Sequence, residues 1–222
     1  MQTNKPVSLD VIQHEEISAA IRSAEATTDG EIYAVFAKES DSYFFISFFI
    51  WTVTIFFVSI IGAYMLHWGW HDIPLHYFAT VVLSVHLLGL FYLSIIPALR
   101  LLITPGAIKN RICHANATRQ FLAQNINRTT KRTGILLFIS QAEHYAEIIA
   151  DVKIAEKVPP ETWKRIINGM VKKARDGDIN GAFIESIQKS GEILTQFFPG
   201  NSHIDNELPD RIVVIRLLFC FR

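Results

Sequence analysis

The sequence predicts an α/β domain that is interrupted by a two-helix transmembrane hairpin. Two observations support this fold class: two long uncharged segments in the first half of the chain, and short strand-like apolar runs on both sides of them. The 222 residues carry 21 Lys/Arg and 21 Asp/Glu, but residues 43–99 contain only one of these, Asp72. An apolar block therefore lies inside an otherwise ordinary globular composition.

Each uncharged segment is long enough to cross a bilayer. Tyr43–Leu66 would span roughly 36 Å as a helix, against about 30 Å for the hydrocarbon core, and Tyr77–Leu99 is similar in length. Core helices of a soluble protein usually keep a polar stripe, and neither segment has one. The link of only ten residues between them can join only antiparallel neighbours. We therefore predict a hairpin embedded in a lipid bilayer.

The distribution of basic residues predicts the orientation of this hairpin. Residues 100–132 hold seven Lys/Arg and no acid, Lys38 precedes the first segment, and the link 67–76 has no Lys or Arg. The positive-inside rule then places both termini in the cytoplasm, and we expect a bacterial inner membrane. The basic residues nearest the membrane would meet anionic headgroups.

Outside the hairpin, the periodicity of apolar residues predicts four helices and four strands. The predicted helices are 9–27, Ile108–Asn125, Glu161–Arg175 and Asn180–Phe198, and the predicted strands are Glu31–Ala37, Ile135–Ser140, Ala146–Asp151 and Arg211–Ile215. A single strand before the hairpin cannot fold alone, so its partners must follow the hairpin. This reasoning divides one domain into segments 1–42 and 103–222, with the hairpin at 43–102.

Composition gives little evidence for a particular chemistry. The formal net charge of zero gives no general attraction to nucleic acid, so no nucleic-acid partner is expected. Cys113 and Cys220 form no CxxC or zinc-type cluster. Residues 1–30 are polar and do not look like a signal peptide. The sequence contains no DxDxT motif, P-loop or GxGxxG.

Several motifs outside the hairpin resemble the TPM domain family, whose members include a photosystem II repair protein and an acetylcholine-receptor accessory protein. The residues that carry the resemblance are Glu25, Thr28–Ile32, Arg119, Phe121, Thr130–Ser140, Glu143, Glu147–Asp151, Trp163, Phe198–Pro199 and Asn206–Asp210. The resemblance implies a three-layer α/β/α sandwich with a central mixed sheet. The family is also labelled a phosphatase family, and some members bind a divalent cation. Many members are exported and tethered by a terminal helix, whereas here a hairpin lies within the domain.

Carboxylates near strand ends are the candidate ligands for a cation. Asp151 follows a predicted strand, and strand ends in α/β sheets are common ligand sites. Glu31 and Glu143 could join it, because carboxylate oxygens suit Ca²⁺ or Mg²⁺. The alternative is that these groups cap helices or form ion pairs. Further candidate binding residues are Arg119, Asn206, Glu207 and Asp210.

Two functions from different classes compete at this point. The first is a membrane-anchored TPM-like domain that binds another membrane protein as an accessory module. The second is a divalent-metal-dependent phosphatase at the membrane surface. A third hypothesis, transport, rests only on His86 within the second segment. The sequence does not decide whether the protein is an enzyme, nor its oligomeric state.

Overall fold

The computed structural model describes residues 13–69, 73–129, 131–200 and 208–215. The chain forms two compact units. One combines the part up to Ser40 with the part from Asn110 onward, and the other runs from Asp41 to Lys109. The unit boundaries thus lie at 40/41 and 109/110, compared with 42/43 and 102/103 expected from the sequence.

The first unit is built on a four-stranded mixed sheet. Its strands are β1 (Glu31–Ala37), β2 (Gly134–Ser140), β3 (Tyr145–Ala150) and β4 (Ile212–Ile215). They lie in the order β3-β2-β1-β4. β1 runs parallel to both β2 and β4, whereas β2 and β3 form an antiparallel hairpin. The predicted α/β fold with a mixed sheet is confirmed, and the strand that precedes the apolar helices lies inside the sheet.

Helices cover both faces of this sheet. The helices of the first unit are α1 (His14–Glu25), α5 (Gly106–Ala123, which starts in the second unit), α6 (Val152–Lys157), α7 (Pro160–Arg175) and α8 (Ile179–Phe197). α1, α6, α7 and α8 form one core with one face of the sheet, while α5 and a short 3₁₀ helix over Ile126–Arg128 form the other. β1 and β2 contribute buried side chains to both faces, which is why their sequences are almost continuously apolar.

The second unit contains three helices rather than the two predicted. They are α2 (Phe44–Trp68), α3 (Leu75–Ile95) and α4 (Pro97–Ile103). Both α2 and α3 are long and apolar enough to cross a membrane. The predicted second segment, Tyr77–Leu99, was too long at its end, because Pro97 cannot donate the hydrogen bond that would continue α3.

Arg100 stabilises this helix break. Pro97 leaves the carbonyl of Leu93 without its usual backbone donor, and Arg100 Nε donates to that oxygen at 2.6 Å. Its Nη2 donates to the Ser94 carbonyl at 2.5 Å, and its guanidinium lies 5.1 Å from the centre of the Phe44 ring. Arg100 is only 5% exposed, so its charge neutralises the end of α3.

Close packing of α2 on α3 depends on Gly89. A Cβ at this position would lie 2.1 Å from the Trp51 ring. The Trp51 indole N–H donates to the His86 carbonyl at 3.3 Å. The Nδ1 atom of His86 is buried and has no hydrogen-bond partner among the described residues.

Candidate functional site

The two ends of the sheet, where its strands start or stop, carry different groups. β1, β2 and β4 start at one end, and the antiparallel β3 stops there. This amino-terminal end of the sheet holds Glu31, Asp151 and Asp210, which begin β1, follow β3 and precede β4 respectively. Asp151 does follow a strand, but because β3 is antiparallel it lies beside the starts of the parallel strands and not beside their carboxyl ends.

An acidic pocket of about 220 Å³ opens at this end of the sheet. Its walls come from the end of α1, from the turn into β1 and from the residue before β4. The lining residues are Arg22, Glu25, Ala26, Thr28, Asp29, Gly30, Glu31 and Asp210. Four of these eight residues carry carboxyl groups and one, Arg22, carries a positive charge.

Glu25 is a partly buried acid of the pocket. Its Oε1 accepts a 2.7 Å hydrogen bond from the backbone N–H of Ile32. Burial, together with the negative charges of Glu31 and Asp210, raises the pKa of Glu25 to about 9, while the Ile32 bond opposes the rise. At neutral pH this carboxyl group is therefore protonated and can donate a hydrogen bond to Asp210.

The turn that shapes the pocket is held by side chains from distant segments. Lys131 forms a 2.6 Å ion pair with Asp29, and Thr133 Oγ1 donates to the Asp29 carbonyl at 2.7 Å. Thr28 Oγ1 donates to the Phe198 carbonyl at 2.7 Å. Gly30 is needed where the turn meets α8, since a Cβ there would approach a Leu194 methyl carbon to 2.8 Å. Asp29 thus has Lys131 as a neutralising partner.

Asp151 lies at the same end of the sheet, where it caps a helix. Its Oδ1 accepts from the Val152 N–H at 2.7 Å, and it is the N-cap of α6, a helix that periodicity did not predict. Its N–H donates to the Gly134 carbonyl, and Gly134 pairs with Glu31 across β2 and β1. β2 therefore separates Asp151 from Glu31 by about 10 Å of backbone. The second oxygen, Oδ2, is buried without a partner.

Glu143 lies at the opposite end of the sheet, in the turn between β2 and β3. Its Oε1 accepts from the Ser40 N–H at 2.8 Å, and its Oε2 accepts from Ser140 Oγ at 2.5 Å. The two serine hydroxyls are themselves 2.8 Å apart. Glu143 thus ties the end of β1 to the end of β2, and a strand length separates it from Glu31 and Asp151.

The candidate ligands predicted from the sequence therefore do not form one site. Glu31 and Asp210 share the pocket, Asp151 and Glu143 lie elsewhere, and Arg119 is an exposed residue of α5. Two other candidates, Asn206 and Glu207, lie outside the described residues. Within the described ranges, no three His, Cys, Asp or Glu side chains stand in an arrangement that could hold a metal ion.

Two acids of the pocket escaped the site prediction. Glu25 ends a helix, where a carboxylate ordinarily faces water, and Asp29 belongs to a Thr-Thr-Asp-Gly turn whose side chains are ordinarily exposed. The only signal for either was the resemblance that included Glu25 and Thr28–Ile32. Because the pocket forms only when α1, β1 and the residue before β4 meet, no local pattern reveals it.

These observations define the class of protein: an α/β/α sandwich with an acidic pocket at the amino-terminal end of its sheet. The family model described as TPM domain matches residues 99–193, which confirms the resemblance over that segment. The match includes Arg119, Glu143 and Asp151, but Glu25, Glu31 and Asp210 lie outside it.

Comparison with solved structures agrees with this fold. The NMR structure of BA42 protein from the psychrophilic bacterium Bizionia argentinensis is similar, with a TM-score of 0.57 and 18% identity. The alignment covers 96% of this chain and 99% of BA42. At this identity the likeness shows the fold alone. No curated protein matched the sequence.

Proposed function

We propose that this chain is a membrane-anchored TPM-type domain that binds another membrane protein as an accessory module. The observation that carries the proposal is the exposure of α2 and α3. Large apolar side chains point outward all around both helices, for example Phe45 at 82%, Phe49 at 70% and Tyr64 at 73%. Water-soluble monomers rarely expose so large a contiguous apolar surface, so lipid or a membrane partner is expected to cover it.

The connection between anchor and domain supports the same role. Only residues 38–43 link β1 to α2, so the chain connects the sheet to the apolar helices by a short segment. We infer that the termini are cytoplasmic, with the link between α2 and α3 on the other side. Resemblance to a family with accessory proteins among its members supports partner binding as the purpose of this placement.

Co-purification tests the proposal. The full chain would be affinity-purified from gently solubilised native membranes, with the isolated hairpin segment 41–109 as the matched control. We expect at least one membrane protein to be enriched with the full chain and not with the hairpin. Equal recovery of every protein with both baits would contradict the accessory role.

A cation-dependent phosphatase is the second candidate, and the acidic pocket is the observation that favours it. A protonated Glu25 beside the carboxyls of Glu31 and Asp210 combines an acid with oxygen donors of the kind that Mg²⁺ and Ca²⁺ prefer. The described side chains are not arranged as a metal site, so the cation would require them to move.

Hydrolysis of a generic phosphoester by the purified full chain, with and without Mg²⁺ or Ca²⁺, tests this candidate. Asp210→Asn is the informative variant, because it removes a pocket charge and keeps the side-chain shape. Asp151→Asn is the control outside the pocket, since an Asn can still cap α6. Metal-dependent turnover that Asp210→Asn abolishes and Asp151→Asn retains would establish the enzyme. Absence of turnover under all conditions would remove this candidate.

A further inference from the structure

The exposed surface of the chain stays apolar beyond the end of α3. The backbone is extended at Ile96, which separates α3 from α4. Every exposed residue of the stretch 95–107 is apolar, and Leu102 is the most exposed of its large side chains at 79%. The exposed residues of this stretch are Ile95, Ile96, Pro97, Ala98, Leu102, Pro105, Gly106 and Ala107. The apolar surface of the hairpin therefore includes α4 and does not stop with α3.

The two polar side chains of this stretch are turned inward. Arg100 is 5% exposed and Thr104 is 2% exposed. Arg100 donates to two carbonyls at the end of α3, and Thr104 Oγ1 donates to the Arg100 carbonyl at 2.8 Å. A helix at a water-exposed surface usually has the opposite arrangement, with its charged residues outside and its leucines inside. The arrangement in α4 therefore fits an apolar surrounding.

α4 lies at the end of the hairpin where α2 starts and α3 ends. The guanidinium of Arg100 is 5.1 Å from the centre of the ring of Phe44, the first residue of α2. α4 is roughly 10 Å long, too short to cross the hydrocarbon core of a bilayer. The next charged residue along the chain is Lys109, whose Nζ donates to the Leu101 carbonyl at 3.4 Å. A short apolar helix with a cation at its border is typical of the interface between headgroups and acyl chains.

We propose that α4 is an interfacial helix, which lies in one leaflet with the exposed Leu102 side among the upper acyl chains of phospholipids. Its apolar side would lie about 5–10 Å below the headgroup boundary. Lipid hydrocarbon fits this side because the exposed surface continues that of α3 and offers no side chain that could form a hydrogen bond. The anchor would then be asymmetric, with three helices in this leaflet and two in the other. The proposal rests on the membrane anchoring proposed above.

Site-specific fluorescence quenching of the full chain in vesicles tests the proposal. A thiol-reactive fluorophore would be attached at Leu102→Cys in a Cys220→Ser background, in which Cys113 is buried. The vesicles would contain phosphatidylcholine and phosphatidylglycerol, with a part of the lipid brominated either near the headgroup or near the chain end. We expect the shallow bromine to lower the fluorescence roughly twofold and the deep bromine to lower it less, because an interfacial helix lies at the depth of the shallow bromine.

Two references calibrate this measurement. Val85 is an exposed residue at the middle of α3, and a label at Val85→Cys should be quenched most by lipid brominated near the chain end. The glutathione adduct of the same fluorophore, free in solution, gives the response to iodide in water. Iodide on both sides of the bilayer should quench the label at Leu102→Cys much less than it quenches this adduct.

Three results at Leu102→Cys would overturn the proposal. Iodide quenching as strong as that of the free adduct would place α4 in water. Stronger quenching by the deep bromine than by the shallow one would place α4 in the bilayer core. No quenching by any agent would mean that protein covers this side of α4, and deletion of residues 216–222 would then show whether that segment is the cover.

The failure of this inference is distinguishable from the failure of the anchor. A label at Val85→Cys that lipid quenches, together with an unquenched label at Leu102→Cys, would keep the anchor and reject the interfacial helix. A label at Val85→Cys that neither brominated lipid quenches would reject the membrane anchor itself.

Discussion

Glu25 shows how one buried carboxyl group can govern the pH response of the domain. Its pKa rises from 4.5 to about 9 on folding, because burial disfavours the charged form beside two other acids. Between these pH values the folded state binds more protons than the unfolded state. The stability from this group is therefore complete below pH 4.5 and is lost as the pH rises toward 9.

We expect Glu25→Gln to remove this loss. The amide can still accept from the Ile32 N–H and donate to Asp210, so it reproduces the protonated acid. The variant should be more stable than the wild type at pH 9 by on the order of 2 kcal/mol, with little difference at pH 5. Denaturant unfolding at both pH values measures this.

Glu16→Gln is the control, since Glu16 is an exposed residue of the same helix. Its unfolding should show the pH dependence of the wild type. A Glu25→Gln variant whose stability still falls between pH 5 and 9 would contradict the assignment of this pH dependence to Glu25.

Glu143→Ala tests the hydrogen-bond network of Glu143, Ser40 and Ser140 at the carboxyl ends of β1 and β2. The change leaves the Ser40 N–H and the Ser140 hydroxyl without their carboxylate acceptor, and both serines are buried. We expect a loss of about 2–4 kcal/mol in the free energy of unfolding. Removing the exposed Glu156 should cost less than about 0.5 kcal/mol. Similar values for the two variants would show that Glu143 has no structural role.

Single residues were the scale at which sequence reasoning was weakest. Glu31, Asp151 and Glu143 were predicted as one ligand set from their closeness to strand ends. The antiparallel course of β3 places Asp151 at the same end of the sheet as Glu31, with β2 between them, while Glu143 lies a strand length away. Local sequence patterns mark the end of a strand but do not give its distance from the end of another strand.

At the scale of helices and strands, long-range packing determines the first and last residues that local sequence patterns leave undetermined. β1 has the predicted bounds, and β2 differs by one residue. Apolar runs sufficed there because these strands are buried on both faces. α6 was missed because six residues carry too little periodicity, and the end of α3 was misplaced because Pro97 was passed over inside an apolar run.

The break between α3 and α4 provides a double-mutant test. Arg100→Ala should destabilise the hairpin unit by about 2–4 kcal/mol, because the buried Leu93 carbonyl and the part-buried Ser94 carbonyl lose a charged donor. In a Pro97→Ala background the new backbone N–H can serve Leu93, so Arg100→Ala should cost less. Thermal unfolding in detergent, followed by circular dichroism, gives the four values. An unchanged cost in both backgrounds would reject the role assigned to Arg100.

Gly134→Ala tests the contact between β2 and the 3₁₀ helix. A Cβ on Gly134 would lie 2.8 Å from the Ile126 carbonyl oxygen, and backbone cannot easily move away. We expect destabilisation of about 1–3 kcal/mol. Gly169→Ala is the matched control, since nothing lies within 4 Å of its added Cβ within α7, and it should stabilise by up to about 1 kcal/mol. Denaturant unfolding measures the stability of both variants. A Gly134→Ala variant at least as stable as Gly169→Ala would contradict the close contact with Ile126.

At the scale of the whole molecule, β1 is an interior strand whose two neighbours both come from beyond the hairpin. A chain consisting of residues 103–222 would lack this strand, leaving β2 and β4 without a common neighbour. We expect this fragment to show no cooperative unfolding transition. A fragment that unfolds cooperatively, like the full chain, would show that β1 is dispensable.

The position of β1 also has a consequence for how the chain folds. Glu31 pairs with Gly134, 103 residues later, and closing a flexible loop of about that length costs roughly 4 kcal/mol of chain entropy. An already inserted helical hairpin brings its own two ends together and removes most of this cost. During synthesis the first strand must wait, unpaired, until the hairpin is complete. With the proposed membrane anchor, insertion of the hairpin would therefore precede the pairing of β1 with β2.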